Sequence, residues 1–200
     1  RLPSGGRESA METFLSILIG LGLSAACGFR VFVPLLVMSL ASRAGMGQLV
    51  LGDGFAWIGS TTALISFGAA TVLEIAGYYI PWVDNLLDAV ATPTAIVAGI
   101  VVTASSVASA DVNPFLQWSL AILAGGGTTA VFQGITATTR QISSFTTGGL
   151  ANPLVATAEA GGSALLAVLA ITLPVVAILL VIGLLVFGVK RLLYRRPANA

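Results

Sequence analysis

Apolar stretches long enough to cross a lipid bilayer follow one another along nearly the whole of this chain. About 20 predominantly apolar residues span the hydrocarbon core as a helix. Only 8% of the 200 residues are charged, and the mean hydropathy is +0.99. A soluble domain carries about 25% charged residues, so this chain lacks the polar groups that would cover a water-exposed surface. The sequence therefore predicts an all-α integral membrane protein with lipid around most of its exterior.

The scarcity of polar chemistry argues against several classes of function. Histidine is absent and Cys27 is the one cysteine, which excludes a disulfide within the chain, histidine-ligated metals or haem, and histidine-based nucleophile relays. The net charge of +1 provides no basic stripe for nucleic acid. Neither Gly-x-Ser-x-Gly nor His-Glu-x-x-His occurs in the sequence. We expect a protein that is not an enzyme and has no cofactor or metal.

About six transmembrane segments are predicted, and two of them are too long for one straight span and are interrupted. The first interruption falls at Cys27-Gly28-Phe29 and at Pro34. The second is the triple glycine Gly125, Gly126 and Gly127. Residues 1–10 are polar and are expected to be a flexible extension or an expression remnant, which leaves 11–200 as one membrane domain. The segments cover about 12–43, 55–79, 93–111, 114–145, 153–172 and 174 onwards, with a short amphipathic helix at 82–90.

Six complete spans would place both termini on the same side of the membrane. The chain ends in the basic run Lys190, Arg191, Arg195 and Arg196, and by the positive-inside rule this run predicts that both termini are cytoplasmic. If the two interrupted segments are instead re-entrant, only four segments span. Arg43 then joins the cytoplasmic set of basic residues.

The two interrupted segments resemble each other at an offset of half the chain. Residues 23–32, LSAACGFRVF, align with residues 123–132, LAGGGTTAVF, an offset of 100 (123 − 23). With three segments in each half, 11–110 and 111–200, a true repeat would be a 3+3 inverted repeat, which is frequent in secondary transporters. The alternative is that small residues recur because they permit close helix contacts, including those of a homo-oligomer.

Three ionisable residues lie at membrane depth. Arg30 follows the first interruption, and Glu74 and Glu159 lie inside apolar segments. A charged group there costs at least a few kcal/mol unless it is paired or reaches water. One interpretation is a permanent ion pair that fixes helix packing. The other is an acid that loads and releases a proton or cation beside an arginine that stays charged.

A polar stripe in the fourth segment extends this candidate site. Thr129, Gln133, Thr136 and Arg140 are spaced by 4, 3 and 4 residues, which places them on one face of a helix. Lipid would not accommodate that face readily, so we expect it to contact protein or a hydrated cavity.

Two aspartates follow the second segment. Asp84 and Asp88 are four residues apart in the stretch beginning Pro81-Trp82. They form either a solvated interfacial helix or, together with Glu74, a cluster of carboxylates of the kind that suits hard cations.

Three stretches together carry a resemblance to a known family. They are GFRVFVP at 28–34, IPWVDNLLD at 80–88 and TGGLANPLV at 147–155, which leads to Glu159. The set resembles an uncharacterised bacterial integral-membrane family catalogued as a domain of unknown function, over residues from Met11 to about Arg196. The resemblance implies a compact multi-helix domain of the bacterial inner membrane and no established activity. Its motif positions are Arg30, Asp84, Asp88, Asn152 and Glu159.

Two positions depart from the pattern of that family. Its members often carry a basic residue before the proline near position 93 and an acidic residue after the glutamate at 159. Here those positions hold Thr92 and Ala160, so a charge partner that the family pattern implies is missing.

The first hypothesis is a small secondary transporter of a polar or ionic solute, coupled to a proton or cation through its intramembrane glutamates. The alternatives are a channel or lipid-handling protein, and a subunit of a membrane complex that does not itself transport. The partners expected are the bilayer, the solute and a second copy of the chain. The candidate binding residues are Arg30, Glu74, Asp84, Asp88, Gln133, Arg140 and Glu159.

Overall fold

The computed structural model of the protein describes residues 4–47, 49–77, 79–110 and 112–194, and helices account for most of them. No strand occurs in these ranges, so the all-α prediction is confirmed. A single 3₁₀ turn, Asp53–Gly59, and a π-helical stretch, Ala121–Gly126, accompany the α-helices. The α-helices are α1 Ser4–Cys27, α2 Phe32–Ala44, α3 Thr61–Gly77, α4 Pro81–Val107, α5 Pro114–Leu120, α6 Gly127–Thr147, α7 Asn152–Thr172 and α8 Pro174–Tyr194.

Within the described ranges, four helical stretches are long and apolar enough to cross a membrane, namely Ser9–Cys27, Val90–Val107, Pro114–Thr147 and Asn152–Thr172. Shorter apolar helices occupy Phe32–Ala44, Thr61–Gly77 and Pro174–Gly188. Several long apolar helices in one chain indicate a multi-pass membrane protein. Helix α2 has 13 residues and is about 20 Å long, which is too short to cross a core of about 30 Å alone.

The first interrupted segment is a helical hairpin. Along α1, Gly22 lies against Ala170, and the carbonyl of Ala26 accepts a hydrogen bond of 2.9 Å from Ser163 Oγ. Residue numbers therefore fall along α7 as they rise along α1, so the two helices are antiparallel.

The turn that follows α1 reverses this direction. Arg30 in the turn donates to the carbonyl of Ala156 near the start of α7, whereas Gly47, beyond α2, packs against the carbonyl of Ile171 near the end of α7. The chain thus travels back along α7 between residues 30 and 47. Helix α1, the turn at 28–31 (the hairpin tip) and α2 therefore form a helical hairpin whose two arms run in opposite directions. Whether this hairpin is re-entrant or spans the membrane stays a prediction.

The second interrupted segment is continuous, so the expected break at the triple glycine is wrong. Helix α5, the π-helical stretch and α6 form one helix of 34 residues, in which the hydrogen bonds widen locally to the i→i+5 pattern. Its start is as expected, because Asn113 Oδ1 accepts the amide hydrogen of Leu116 at 2.9 Å. Gly125 serves close packing, since a Cβ there would lie 2.9 Å from the carbonyl oxygen of Gly99.

Helix α4 merges two elements that the sequence predicted as separate. The expected amphipathic helix at 82–90 and the segment expected to begin at Thr92 and Pro93 form one helix, with Pro93 inside it. Pro81 occupies the helix start instead, where a missing N–H costs nothing. Membrane helices tolerate an interior proline when neighbouring groups satisfy the freed backbone.

The similarity between residues 23–32 and 123–132 does not reflect an inverted repeat. Thr129 Oγ1 donates to the carbonyl of Ser24 at 2.7 Å, and Thr136 Oγ1 donates to that of Gly28 at 3.2 Å. Residue numbers rise together along α1 and α6, so these helices are parallel, whereas inverted elements would be antiparallel. The small residues of the two stretches instead permit close packing, of Gly28 against α6 and of Gly125 and Gly126 against α4.

The described chain runs along the length of the bundle seven times. Successive helices run in alternating directions, in the order α1, α2, α3, α4, the α5–α6 helix, α7 and α8. Near the start of α8, Ala177 contacts Gly22 of α1. Near the end of α8, Gly188 lies against Ile135 of α6. Ser4 of α1 and Tyr194 of α8 therefore lie toward opposite ends of the bundle. This path does not fit the expectation of both termini on one side, which assumed six complete spans.

Small residues and hydroxyl groups hold the centre of the bundle together. Ser24 Oγ of α1 donates to the carbonyl of Gly99 at 2.9 Å and lies 2.6 Å from Thr103 Oγ1, both on α4. A Cβ on Gly99 would overlap the side chain of Thr129. Close approach of this kind replaces the hydrophobic effect as the source of helix association in lipid.

Gly99→Ala should destabilise the protein by about 1–3 kcal/mol, because the added methyl group must displace Thr129 or separate α4 from the α5–α6 helix. Gly127→Ala is the matched control, since a Cβ at Gly127 meets nothing within 4 Å. Thermal unfolding of the two purified variants in one detergent measures the difference. Equal unfolding temperatures would contradict the close packing at Gly99.

Candidate functional site

The N-terminus of α2 is capped by a side chain from another helix. Glu74 of α3 accepts hydrogen bonds from the amide of Val31 at 2.9 Å through Oε1 and from that of Phe32 at 3.1 Å through Oε2. The first amides of a helix have no partner inside it, and the helix dipole favours a negative charge there. The carboxylate therefore satisfies, inside an apolar bundle, donors that water would otherwise have to reach.

The carbonyl groups on the other side of the tip are satisfied by hydroxyl groups. Ser163 of α7 donates to Ala26, and Thr136 of α6 donates to Gly28. Gly28 lies so close to α6 that a Cβ would overlap Phe132. Both helix ends at the tip are thus anchored by polar side chains of neighbouring helices.

Pro34 does not break the hairpin, although the sequence suggested that it would. It lies in the first turn of α2, which begins at Phe32, and there its missing N–H removes no hydrogen bond. Residues 28–31 form the interruption.

Two arginines share one carboxylate beside the tip. Arg30 Nη2 lies 3.1 Å from Glu159 Oε2 and donates to the carbonyl of Ala156 at 3.0 Å. Arg140 Nε lies 3.2 Å and 3.1 Å from the two carboxylate oxygens of Glu159, and Arg140 Nη2 also donates to Oε2. Helices α6 and α7 and the hairpin tip are joined through this one glutamate.

These charges are buried. The exposed fraction is 1% for Arg30, 3% for Arg140 and 7% for both Glu74 and Glu159. The charges of both arginines act on Glu74 as well as on Glu159. Two positive and two negative groups make the four residues, which we call the charged quartet, neutral when all are ionised. Neutrality limits the cost of burying them.

The charged quartet lies toward one end of the bundle. Glu159 is seven residues after the start of α7 at Asn152, and Arg140 is seven residues before the end of α6 at Thr147, which corresponds to about 10 Å of helix in each case. Glu74 is three residues before the end of α3. The quartet therefore lies within about two helical turns of the nearer end.

The structure brings together four of the predicted site residues, namely those of the charged quartet. Gln133 is also buried, at 5% exposure, on the face of α6 that packs against the tip. The side chains of Asp84 and Asp88 lie outside the described residues. In the described part of the chain, no group of three carboxylate, histidine or cysteine side chains is placed to hold a metal ion.

Ser163 is a residue of the site that the sequence reasoning missed. Asn152, Ala156, Glu159 and Ser163 are spaced by 4, 3 and 4 residues, the same pattern as the stripe on α6. All four are buried. The spacing argument applied to α7 would have found Ser163, because residues at these intervals share a helix face.

One family model matches residues 17–194, and its description is "Domain of unknown function (DUF4126)". The chain belongs to this family. The match includes the three stretches that carried the resemblance, so the expected family relationship is confirmed. Two of the residues that the resemblance singled out, Arg30 and Glu159, are in direct contact here. No curated protein and no solved structure matched the chain.

Glu159→Gln should destabilise the protein by about 3–5 kcal/mol, because it leaves two buried guanidinium groups without their shared carboxylate. Glu12→Gln, at an exposed position on α1, is the matched control and should stay within about 0.5 kcal/mol of the unaltered protein. Unfolding temperatures in detergent compare the two. A Glu159→Gln protein as stable as the control would contradict the ion pairs.

Glu74→Gln should cost less than Glu159→Gln, about 0.5–2 kcal/mol, as does the loss of other helix caps. The glutamine oxygen still accepts one of the two amide hydrogens, but the charge at the helix N-terminus is lost. Amide hydrogen exchange at 31 and 32 should speed up in this variant while exchange in α4 stays unchanged. Unchanged protection at the tip would show that the cap contributes nothing.

Proposed function

We propose that the protein is a small secondary transporter of a polar or ionic solute, with its site at the tip of the α1–α2 hairpin. The observation that carries this proposal is the charged quartet, buried between apolar helices at the turn of a helical hairpin. Charged residues inside membrane segments usually mark pathways for ions or solutes. Discontinuous helices in transporters place their ends at such sites.

Packing alone does not require these charges. The contact of α1 with α4 and with the α5–α6 helix uses glycine and hydroxyl groups, as at Gly99, Gly125 and Ser24. Those contacts hold helices together without a buried charge. A network of four ionised side chains is a costly way to obtain the same result, which favours a role in binding.

The anchoring of the tip suits a moving element. The tip is fixed by a carboxylate cap at Val31 and Phe32 and by the ion pair of Arg30. A solute or ion that changes the charge at the quartet weakens these contacts directly, whereas the apolar contacts of α1 remain. We expect the tip to leave its seat during transport and the body of the hairpin to stay in place.

We place the protein in a bacterial inner membrane with the quartet near the cytoplasmic face. Lys190 and Arg191 belong to the last turns of α8, at the end of the bundle nearer the quartet, and the sequence continues with Arg195 and Arg196. Basic residues favour the cytoplasmic side. The hairpin then enters from the outer face, where Arg43 lies near the start of α3.

Stopped-flow light scattering of proteoliposomes tests the proposal, because it detects the entry of any osmotically active solute. Suitable probes are sodium chloride, sodium nitrate, sodium formate and glycine. We expect saturable entry of at least one probe above the rate of protein-free vesicles, and a loss of at least tenfold in Glu159→Gln protein that is still folded. Glu12→Gln should keep the full rate.

Other results separate the alternatives. Entry that does not saturate would indicate a channel, and lipid exchange between vesicles without solute entry would indicate a lipid-handling protein. No probe entering above the protein-free rate would contradict transport and favour a subunit of a larger complex.

A further inference from the structure

The two glutamates of the quartet have different partners. Glu159 is held by two guanidinium groups, those of Arg30 and Arg140, which stay charged at any physiological pH. Glu74 is held by two neutral backbone amides, those of Val31 and Phe32. Adding a proton to Glu159 would break direct ion pairs with two guanidinium groups, whereas adding one to Glu74 weakens two hydrogen bonds to neutral amides. Of the two carboxylates, Glu74 is the one that can exchange a proton.

Glu74 is a poor ligand for a metal cation. Each of its oxygens already accepts one amide hydrogen, and among the described residues no group of three carboxylate, histidine or cysteine side chains is placed to complete a metal site there. A proton binds one oxygen and leaves the other to accept a hydrogen bond. The geometry of the cap therefore selects a proton over Na⁺ or K⁺.

Charge balance then identifies the class of solute. The quartet is neutral when all four residues are ionised, and a proton on Glu74 raises its charge by one next to Arg30 and Arg140. A low-dielectric interior penalises that excess charge, and a bound anion removes it. We propose that Glu74 binds the coupling proton and that the solute is a small anion that enters together with it.

This inference rests on the proposed transport function and names its coupling ion and solute class. The charged or titratable groups that face Glu74 are Arg30 from the tip, Arg140 from α6, Cys27 from α1 and, beyond the arginines, Glu159 from α7. On α4 the nearest acids in sequence are Asp84 and Asp88, whose side chains lie outside the described residues. The charge of these aspartates changes the net charge of the site before Glu74 takes a proton. It does not change the increase of one unit of charge that the proton brings.

Proton binding also affects the conformation of the tip. The carboxylate that takes the proton is the one that caps α2, and Arg30 is the residue immediately before Val31. The weakened cap loosens the segment that carries one of the two arginines. The proton thus supplies both the charge that attracts the anion and the release of the tip that admits it.

Anion binding to the protein purified in detergent tests the inference without any need for transport. The probes are chloride, nitrate and formate as sodium salts at constant ionic strength, and binding is read from the rise in unfolding temperature. For at least one probe, we expect the affinity to increase about tenfold per unit fall in pH over the range where Glu74 titrates, because binding of proton and anion is reciprocal. In weakly buffered solution, adding that anion should take up about one proton per protein.

In Glu74→Gln the side chain at position 74 is neutral at every pH, like a protonated glutamate. This variant should bind the anion at every pH with the affinity that the unaltered protein reaches at low pH, and proton uptake should disappear. Glu12→Gln should behave like the unaltered protein in both measurements. Because the uptake measurement on the unaltered protein stands alone, it decides the inference even if Glu74→Gln fails to fold.

Three results would overturn the inference: no binding of any of the three probes, binding that is independent of pH, or undiminished proton uptake in folded Glu74→Gln. Coupled binding in detergent without flux in proteoliposomes would overturn the transport function alone. Saturable, pH-independent entry of glycine without anion binding would overturn the inference alone.

Discussion

The backbone groups freed at residues 28–31 are the constraint on which the rest of the structure depends. A chain that turns inside a membrane exposes amide and carbonyl groups that lipid cannot bond. Here α3, α6 and α7 each send a side chain to the turn: Glu74 to the amides that open α2, and Thr136 and Ser163 to carbonyls at the end of α1. The turn therefore fixes which faces of these three helices are polar.

The buried charges follow from the same turn. Once Glu74 satisfies the start of α2, a carboxylate is present in the bundle and must be balanced. Arg30 and Arg140 supply the positive charges, and Glu159 joins them. The result is a neutral set in which one carboxylate is bound by cations and the other by neutral amides. This difference in partners, more than the presence of charge, is the basis of our proposal that the site responds to a proton.

Much of the site could be predicted because a helix face can be read from spacing. The 4, 3, 4 pattern predicted that Thr129, Gln133, Thr136 and Arg140 face protein, and all four are buried. The importance of Arg30, Glu74 and Glu159 followed from the cost of charge in lipid. Spacing along one helix gives no distance between helices, however. It could not show that Arg140 pairs with Glu159 or that Glu74 caps a distant helix.

The sequence by itself determined the helical class and the series of apolar helices typical of a multi-pass membrane protein, because length and hydropathy act locally along the chain. Only the tertiary structure decided the direction of each helix and the partners of each charge. Gly28 and Gly125 look alike in sequence, yet one begins a reversal and the other lies inside a continuous helix. The reason is physical: both glycines allow a neighbouring helix to approach closely. The chain can turn beside Gly28 because side chains of distant helices satisfy the backbone groups freed there.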